Sequence, residues 1–330
     1  MASIGRRSLV KGALLAGPAA LITGAAPALG APPIDPVGRN HGAPITKTVQ
    51  TVGYIEVNDN SMLNLTHYVL DDDQPVFDMG MVFAANINWD SEAKRPVLFL
   101  NENVQRVLDN AKTEIRPLQK MGIKVCLTVL GNHHPVGLAN LADRAMAEDF
   151  ADQIAAVVEK YGLDGVDFDD EWSKYPSAGE KVDGVLGAPN AWSFPYLLDA
   201  LRQRMPDKLL TFYYIGPVTR SLVYGDLKLA ELLDYSWQPY YGSYRQWPLP
   251  GQPNSRFGAA AIDLSSSIAT SYLTSFAERT MKDGYGIYLT YQLQPGDQSA
   301  KLSAITEPLY GSKARYIADP KHGGGRYKKR

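Results

Sequence analysis

Short apolar segments recur eight times along the chain, and most of them are separated by a helical pattern. Most have the length of a buried strand, and strands joined through helices lie parallel to one another. Eight such units in succession predict closure into a TIM (β/α)8 barrel. The predicted strands span residues 51–57, 76–87, 124–130, 163–171, 209–215, 235–240, 259–264 and 286–293.

The helices between these strands are predicted from apolar residues at helical spacing and from glycine or proline at their ends. The first and the sixth helix leave no clear pattern, so we expect a barrel with one or two missing or shortened helices. An open doubly wound sheet is the alternative fold. It would carry a glycine-rich phosphate loop after the first strand, and Asn58-Asp59-Asn60-Ser61 is not such a loop. The predicted helices span residues 103–121, 141–161, 193–204, 227–233, 268–282 and 304–309.

The N-terminal segment differs in character from the rest of the chain. Arg6-Arg7 precede a long apolar, alanine-rich run that ends in small residues. This order is typical of a twin-arginine signal peptide, so we expect residues 1–31 to be removed on export and the mature protein to be secreted. An exposed, proline-rich leader is expected at 32–48 and a single domain at 49–312. The basic tail at 313–330 is expected to be disordered.

Removal of the signal peptide would make the chain more acidic. It takes away three basic residues and no acid, so 33 Lys and Arg become 30 against 35 Asp and Glu. That balance argues against a nucleic-acid partner, and no apolar run outside the signal is long enough to span a membrane. The single cysteine, Cys126, excludes an internal disulfide and is expected to be a small buried apolar side chain. Without heptads or an obvious apolar patch, a monomer is expected.

The fourth predicted strand ends in a run of acids, Asp167-Phe168-Asp169-Asp170-Glu171. Side chains alternate along a strand, so Asp167, Asp169 and Glu171 are expected on one face. A site that holds one carboxyl protonated and another ionised needs such crowding. We expect Asp167 and Asp169 to titrate as a pair, and the negative neighbour to raise the pKa of Glu171, which suits a general acid. Asp170 faces the other way and is expected to be an ordinary loop or helix-side charge.

A metal site built of the same three carboxylates is the alternative. Such oxygen ligands would suit Mg²⁺ or Ca²⁺, but no histidine or further acid cluster supports it. A purely structural role is disfavoured by the cost of burying these charges. We therefore expect no metal and no cofactor.

The residues of this strand resemble a known family. Asp164-Gly165-Val166-Asp167-Phe168-Asp169-Asp170-Glu171 matches the DGxDxDxE signature of glycoside hydrolase family 18 at every fixed position. The preceding Tyr161-Gly162-Leu163 is similar to the endo-β-N-acetylglucosaminidase branch of that family, of the endoglycosidase H type, and the similarity covers roughly residues 50–312. Other segments that carry it are 101–110, 129–133, 239–242 and 284–291.

The resemblance implies a reaction in which the substrate supplies the nucleophile, an exception to the two-carboxylate scheme. The 2-acetamido oxygen of the sugar would attack its own anomeric carbon, and Glu171 would protonate the leaving oxygen. Asp169 would hold the acetamido N–H, Asp167 would support Asp169, and Glu171 would then activate water, with net retention. The implied substrate bond is GlcNAc-β-1,4-GlcNAc in the chitobiose core of N-linked glycans, of the high-mannose or hybrid kind.

The resemblance also implies residues that bind the sugar. In related enzymes an Asn or Gln followed two residues later by Tyr contacts the acetamido carbonyl, and Gln238 and Tyr240 match that pattern; core or rim packing is the alternative. Tyr213 on the fifth strand is a further candidate, although an inward Tyr in a barrel is often only filling. Five other side chains could line sugar subsites or simply pack: Trp89, Trp172, Trp247, His133 and His134.

Two other functions stay open. A chitinase would use the same acids on a GlcNAc polymer, but chitinases tend to carry a small-residue SxGG segment after the third strand, and Thr128-Val129-Leu130-Gly131-Asn132 keeps one glycine of that pair. A non-catalytic, glycan-binding barrel usually lacks the acid at the end of the motif, and Glu171 is present.

Overall fold

Eight parallel strands form a closed barrel in a computed structural model of the protein, which describes residues 44–318. Each strand pairs with the next one in the chain, and the last pairs with the first, where Ile287 lies opposite Gln50. The predicted TIM barrel is therefore confirmed. Its strands are β1 (Gln50–Glu56), β2 (Met79–Asp90), β3 (Lys124–Gly131), β4 (Gly165–Asp169), β5 (Leu209–Tyr213), β6 (Tyr235–Trp237), β7 (Phe257–Asp263) and β8 (Ile287–Tyr291).

Helices surround the barrel unevenly, as the sequence predicts. The turn Met62–His67 stands where a first helix would lie, and a long loop with only the short turn Asn254–Arg256 follows β6. The predicted helix 103–121 is broken into three, and the second break falls just before Pro117, which lacks the N–H that would continue the preceding helix. No helix within residues 44–318 has the length and apolarity to cross a bilayer. The helices are α1 (Glu102–Asp109), α2 (Ala111–Glu114), α3 (Arg116–Lys120), α4 (Arg144–Tyr161), α5 (Ser193–Arg204), α6 (Leu229–Leu232), α7 (Thr270–Lys282) and α8 (Ser299–Tyr310).

Short strands decorate the barrel. Arg95–Phe99 continues β2 as an antiparallel hairpin, and Ser243–Tyr244 pairs antiparallel with β7. Ser243–Tyr244 belongs to the loop that follows β6. This loop therefore runs back along the barrel wall as a short strand, where other loops form a helix. Val223–Tyr224 and Leu227–Lys228 form a small separate hairpin, and Pro217–Arg220 is a further short helical turn.

Helix α4 fixes the position of the acidic strand. Asp143 caps its first turn by accepting the N–H of Met146 at 2.9 Å, and Phe150 and Ile154 bury its apolar stripe. Gly162 ends it in the left-handed conformation, with φ of 61°. That conformation costs glycine little, so the chain turns sharply and enters β4.

The register of β4 with its two neighbours places its acids inside the barrel. Asp167 lies opposite Thr128 of β3 and Thr211 of β5. Phe168 points outward and packs against α5, so Asp167 and Asp169 share the inner face, as predicted from alternation. Beneath the acids the barrel interior is filled by apolar side chains, among them Val52, Met79, Met81, Cys126, Ile287 and Leu289.

Three aspartates at the opposite, N-terminal end of the barrel repeat one arrangement, and we call them the basal aspartates. Each immediately precedes an even-numbered strand and accepts a backbone N–H from the odd-numbered strand before it, at 2.7, 2.8 and 2.8 Å. Each also lies beside a cation. The sets of aspartate, N–H donor and cation are Asp78 with Thr51 and Lys47, Asp164 with Val125 and Lys124, and Asp234 with Leu210 and Arg202.

The chain ends are partly anchored. Lys47, within the predicted exposed leader, is nearly buried and bonds the basal Asp78. Arg315–Tyr316 pairs with Tyr68–Val69, so the prediction that the disordered tail begins at residue 313 is wrong. The predicted signal peptide, most of the leader and residues 319–330 lie outside the described residues.

Candidate active site

Asp167 is fixed deep in the barrel mouth by three hydroxyl groups. Tyr54 Oη and Thr128 Oγ1 donate to Oδ2 at 2.6 and 2.9 Å, and Thr211 Oγ1 donates to Oδ1 at 2.7 Å. Trp237 Nε1 donates in turn to Tyr54 Oη at 3.0 Å. Burial raises the pKa of Asp167 to about 6, against the opposing effect of these hydrogen bonds. Both of its oxygens are therefore occupied by donors.

Asp169, one pleat above, has an oxygen that nothing in the described chain satisfies. The side chain is only 2% exposed, and its Oδ1 has no hydrogen-bond partner. Burial raises its pKa well above the ordinary value, and the charges of Glu171, Asp167 and Asp170 raise it further. Buried carboxyl oxygens are normally hydrogen-bonded, so an unpaired one at the mouth of a barrel marks a place for a donor group of a ligand.

Glu171 stands just beyond the end of β4, half exposed. Burial raises its pKa, which suits a carboxyl that must carry a proton near neutral pH. The predicted cause, a negative neighbour, is wrong for Glu171: like-charge repulsion acts on Asp169 instead, because Asp169 is the more deeply buried of the two. Glu171 borders a cavity of about 360 Å³, together with Trp172, Ile215 and Pro217.

A glycine lets the loop after β3 approach the backbone that carries Glu171. A Cβ placed on Gly131 would lie 2.1 Å from the carbonyl oxygen of Glu171. That distance is far below van der Waals contact, so any side chain at residue 131 would displace the acid. The single glycine kept from the chitinase pattern thus has a packing reason.

Asp170 departs from its predicted role. It faces away from the barrel interior as expected, but it is 2% exposed and accepts hydrogen bonds from the Val218 N–H and the Tyr175 hydroxyl. The prediction of an ordinary loop or helix-side charge is wrong. The cause is tertiary: the loops after β3 and β5 fold over it, which the local sequence does not reveal.

Tyr213 and Tyr241 lie beside Asp169, and Tyr291 extends them into a wall of three tyrosine rings. The ring of Tyr241 lies 5.9 Å from that of Tyr213 and stacks on that of Tyr291 at 5.1 Å, and the hydroxyls of Tyr213 and Tyr241 are hydrogen-bonded. Burial raises the pKa of Tyr241 well above its usual value, and Tyr213 and Asp169 contribute to the same shift. Sequence reasoning placed Tyr213 here but missed Tyr241.

Gln238 and Tyr240 lie in the segment that follows β6. The Gln238 side chain shapes the following turn: its Oε1 accepts the Tyr240 N–H at 2.8 Å, and its Nε2 donates to the Tyr240 and Ser243 carbonyls at 3.2 and 3.0 Å. The amide of Gln238 is therefore hydrogen-bonded within this turn. Tyr240 is 46% exposed, with the Arg245 guanidinium 4.3 Å from its ring centre. Gln238 and Tyr240 both lie beyond the end of β6 at Trp237, and whether they contact the sugar stays a prediction.

The five further aromatic and histidine candidates separate into packed and exposed ones. His134 Nδ1 accepts the Trp89 N–H at 3.1 Å, so these two hold the rim together. Trp172, next to Glu171, is 60% exposed and meets the His133 ring edge-on at 5.8 Å. Trp247 is also exposed, and its ring contacts Arg245, the same guanidinium that lies over Tyr240. Whether Trp172 and His133 contact a sugar stays a prediction.

The chemistry of this mouth defines a class of enzyme. Within residues 44–318 no group of three His, Cys, Asp or Glu is arranged to hold a metal ion. A half-exposed carboxyl with a raised pKa stands beside a buried carboxyl with an unpaired oxygen, at the strand ends where barrels carry out catalysis. This is the arrangement of a glycoside hydrolase that works by acid–base catalysis.

Comparisons with known proteins agree with that class. The model of the family described as Glycosyl hydrolases family 18 matches residues 50–294, so the chain belongs to this family. An endo-β-N-acetylglucosaminidase of Flavobacterium sp. (strain SK1022) is 45% identical over 289 residues, 88% of this chain and 89% of that protein. Endo-β-N-acetylglucosaminidase F1 of Elizabethkingia meningoseptica is 32% identical over 282 residues, 82% of this chain and 81% of that protein.

Solved structures give the same result for the fold. EndoBT-3987 of Bacteroides thetaiotamicron, solved in complex with Man9GlcNAc2Asn substrate, superposes with a TM-score of 0.70 at 29% identity, over 87% of this chain and 72% of that one. A family 18 chitinase of Pseudoalteromonas aurantia has a TM-score of 0.51 at 16% identity, over 79% of this chain and all of that one, which shows a shared fold alone.

Proposed function

We propose that this glycoside hydrolase is an endo-β-N-acetylglucosaminidase that cleaves the GlcNAc-β-1,4-GlcNAc bond in the chitobiose core of N-linked glycans. One GlcNAc stays on the protein. The observation that carries the mechanism is the unpaired Oδ1 of Asp169 beside the carboxyl of Glu171. Two relatives named for this activity, each matched over more than four-fifths of its length, support the substrate class. The Man9GlcNAc2Asn bound by EndoBT-3987 supports a high-mannose or hybrid glycan.

In the first step the substrate attacks itself. The carbonyl oxygen of the 2-acetamido group bonds to the anomeric carbon as the bond to the leaving oxygen breaks. Glu171 donates its proton to that oxygen, so the leaving GlcNAc departs as a neutral alcohol. Asp169 accepts the acetamido N–H through Oδ1 and stabilises the positive charge that spreads over the oxazolinium ring. Asp167, held by its three hydroxyl donors, fixes the negative potential beneath Asp169.

In the second step Glu171 reverses its role. Now a carboxylate, it removes a proton from water, and the water oxygen bonds to the anomeric carbon on the face that the leaving group vacated. The bond to the acetamido oxygen breaks, the acetamide is restored, and the configuration is retained after two inversions. Glu171 regains the proton that it gave away.

The tyrosine wall supplies the remaining polar group. The hydroxyl of Tyr213 donates to the carbonyl of Pro239 and anchors the turn that presents Tyr241. Tyr241 stands beside Asp169 and donates its O–H to Tyr213 in the free enzyme. When the sugar binds, that O–H turns to the acetamido carbonyl and orients it for attack. Tyr213 acts through Tyr241 in this scheme and does not touch the sugar.

The experiment is mass analysis of a high-mannose glycoprotein after treatment, with Glu171→Gln as the matched control. We expect a single HexNAc on each treated asparagine and an intact glycan in the control. Release of the whole glycan, or cleavage of chitin oligosaccharides in preference to the glycoprotein, would contradict the assignment. Glycan binding without any cleavage would indicate the non-catalytic alternative.

Export and assembly form a separate part of the proposal. The Arg6-Arg7 pair and the apolar run after it support secretion through the twin-arginine pathway. Replacing both arginines by lysine should leave the precursor inside the cell, and unchanged secretion would contradict that route. The mature enzyme is proposed to act as a monomer, and light scattering at assay concentration tests this directly.

A further inference from the structure

Asp170 lies where three loops of the barrel mouth meet. It is the first residue after β4, and its side chain points away from the face that carries Asp169 and Glu171. Its Oδ2 accepts the Val218 N–H at 3.0 Å, from the loop after β5. Its Oδ1 accepts the hydroxyl of Tyr175, from the loop after β4, and the N–H of Leu138, after β3, donates as well.

The loops are packed too closely around this carboxylate to move independently. The Tyr175 hydroxyl also accepts the Ala139 N–H at 3.1 Å, which ties the loop after β3 a second time. A Cβ on Gly216 would lie 2.0 Å from the Asp170 carbonyl oxygen, and one on Gly137 would lie 2.2 Å from the Tyr175 hydroxyl. Both glycines are therefore needed for the close approach.

Backbone pairing extends this contact past the acid. The N–H of His133 donates to the carbonyl of Trp172, and the N–H of Lys174 donates to the carbonyl of His134, both at 2.8 Å. Glu171 thus sits in a short segment, 170–175, that is held at both ends by the loop after β3. Within residues 44–318 the carboxyl of Glu171 has no comparable hydrogen bond of its own, so its direction depends on that segment.

We propose that Asp170 is a positioning residue, which sets the direction of the Glu171 carboxyl by joining the loops after β3, β4 and β5. The inference rests on the proposed role of Glu171 as the general acid. A displacement of about 1 Å at a reacting group lowers catalysis by about 10²-fold, so a clamp of this kind has a large effect on rate. Charged acceptors form the stronger hydrogen bonds, which accounts for a carboxylate at this point.

Burial of this carboxylate is costly. It raises the pKa of Asp170 to about 7, although hydrogen bonds from Tyr175, Val218 and Leu138 act in the opposite direction, and the charge of Glu171 raises the pKa further. A packed apolar residue would avoid this cost. The stability given up at residue 170 is consistent with a role in catalysis.

The test compares two substrates with the Asp170→Asn variant, which preserves shape and removes the negative acceptor. One substrate is a high-mannose glycopeptide, whose leaving GlcNAc needs a proton. The other is the p-nitrophenyl glycoside of the same glycone, whose leaving group departs without one. We expect kcat on the glycopeptide to fall by about 10- to 100-fold with little change in KM. First-turnover release of p-nitrophenol should fall much less.

Asp164→Asn is the matched control at the other end of the same strand. Asp164 accepts the Val125 N–H at 2.8 Å and the Gln119 amide at 2.7 Å, so its loss should lower the unfolding temperature and leave kcat unchanged for both substrates. Tyr175→Phe removes one donor to Asp170. Its kcat on the glycopeptide should fall by less than that of Asp170→Asn, again with a smaller fall on the p-nitrophenyl glycoside. It keeps the test decisive if Asp170→Asn does not fold.

Equal losses on both substrates, or no loss in kcat with either Asp170→Asn or Tyr175→Phe, would overturn the positioning role. Glu171→Gln separates this failure from that of the proposed function. If Glu171→Gln is inactive on the glycopeptide while Asp170→Asn is fully active, only the role of Asp170 is lost. If Glu171→Gln hydrolyses the glycopeptide at the normal rate, the general acid itself is misassigned.

Discussion

Carboxyl groups lie at both ends of β4, but their surroundings differ. At the N-terminal end Asp164, like the other basal aspartates, accepts a backbone N–H and lies beside a cation. At the C-terminal end Asp167, Asp169, Asp170 and Glu171 crowd together, and burial, hydrogen bonds and other acids set their pKa values, with no cation of the described chain among the causes.

The difference shows how one strand divides two tasks. A basal aspartate ties an even-numbered strand to the odd-numbered strand before it, which stabilises the barrel at the end where no reaction takes place. Burial raises the pKa values of the four upper acids, and neighbouring charges raise those of Asp169 and Asp170 further. This costs stability and provides the protonated and ionised carboxyls that the reaction needs. Substitutions at the two ends should therefore have opposite effects.

Glu171→Gln should have the largest effect on activity. The amide cannot transfer a proton, so kcat on a glycopeptide should fall by about 10³-fold or more. The unfolding temperature should stay close to that of the wild type, because Glu171 is half exposed and makes few contacts. Steady-state kinetics and a thermal melt check both values, and a variant that retained most of its rate would remove Glu171 from its role.

Asp169→Asn should have the next largest effect and should move stability in the opposite direction from Asp164→Asn. The rate should fall by about 10²-fold, because an amide stabilises the oxazolinium charge less well than a carboxylate. The unfolding temperature should rise, because a buried acid with an unpaired oxygen is removed. A fall in both rate and stability would contradict the contrast between the ends of β4.

Tyr241→Phe and Tyr240→Phe form a matched pair of adjacent substitutions. Loss of the Tyr241 hydroxyl should lower kcat by about 10-fold, the value of one hydrogen bond to a charged or developing-charge group. Tyr240→Phe should leave kcat unchanged, because that ring lies exposed beside Arg245. The kcat values of both variants on one glycopeptide check this, and a larger loss in Tyr240→Phe than in Tyr241→Phe would support the assignment of Tyr240 made from the sequence.

A pH series should give the smallest effect. Unfolded Asp has a pKa of about 3.9, whereas in the fold Asp170 has a pKa of about 7 and Asp167 of about 6. Between the unfolded and the folded pKa values the folded protein binds more protons than the unfolded chain. The free energy of unfolding is therefore highest at low pH and falls as the pH rises through the pKa values of the folded state.

Urea unfolding between pH 4 and pH 8 measures this loss, with Asp170→Asn as the control. The free energy of unfolding should fall less steeply with pH in the variant than in the wild type. The two slopes should differ by less than about 1.4 kcal/mol per pH unit, the limit for the loss of one titrating group. A wild-type slope that matched the slope of the variant would show that Asp170 titrates normally.

Regular features of the chain were predictable from sequence, because strand alternation and helix spacing are local. The closed barrel, the short helices and the inward direction of Asp167 and Asp169 follow from such periods. The environment of Asp170 was not predictable, because its partners come from loops far along the chain. Tyr241 was missed because it lies beyond β6, which ends at Trp237, and the family pattern used for this segment points to Tyr240.

The chain ends show the same limit. The basic composition of residues 313–330 favoured disorder, yet Arg315–Tyr316 finds a partner strand at Tyr68–Val69 that lies far away in sequence. The cause of the raised pKa of Glu171 was also assigned wrongly, since the depth at which each acid is buried depends on loops that close over β4. Tertiary contacts decided both points.

The most direct test of the mechanism changes the substrate and leaves the protein intact. Glycosides whose reacting sugar carries an acetamido, fluoroacetamido, difluoroacetamido or trifluoroacetamido group offer a progressively weaker carbonyl nucleophile. If that carbonyl attacks while Asp169 holds its N–H, kcat should fall steeply with each added fluorine. A rate that is indifferent to fluorination would show that the attacking group belongs to the protein or to water.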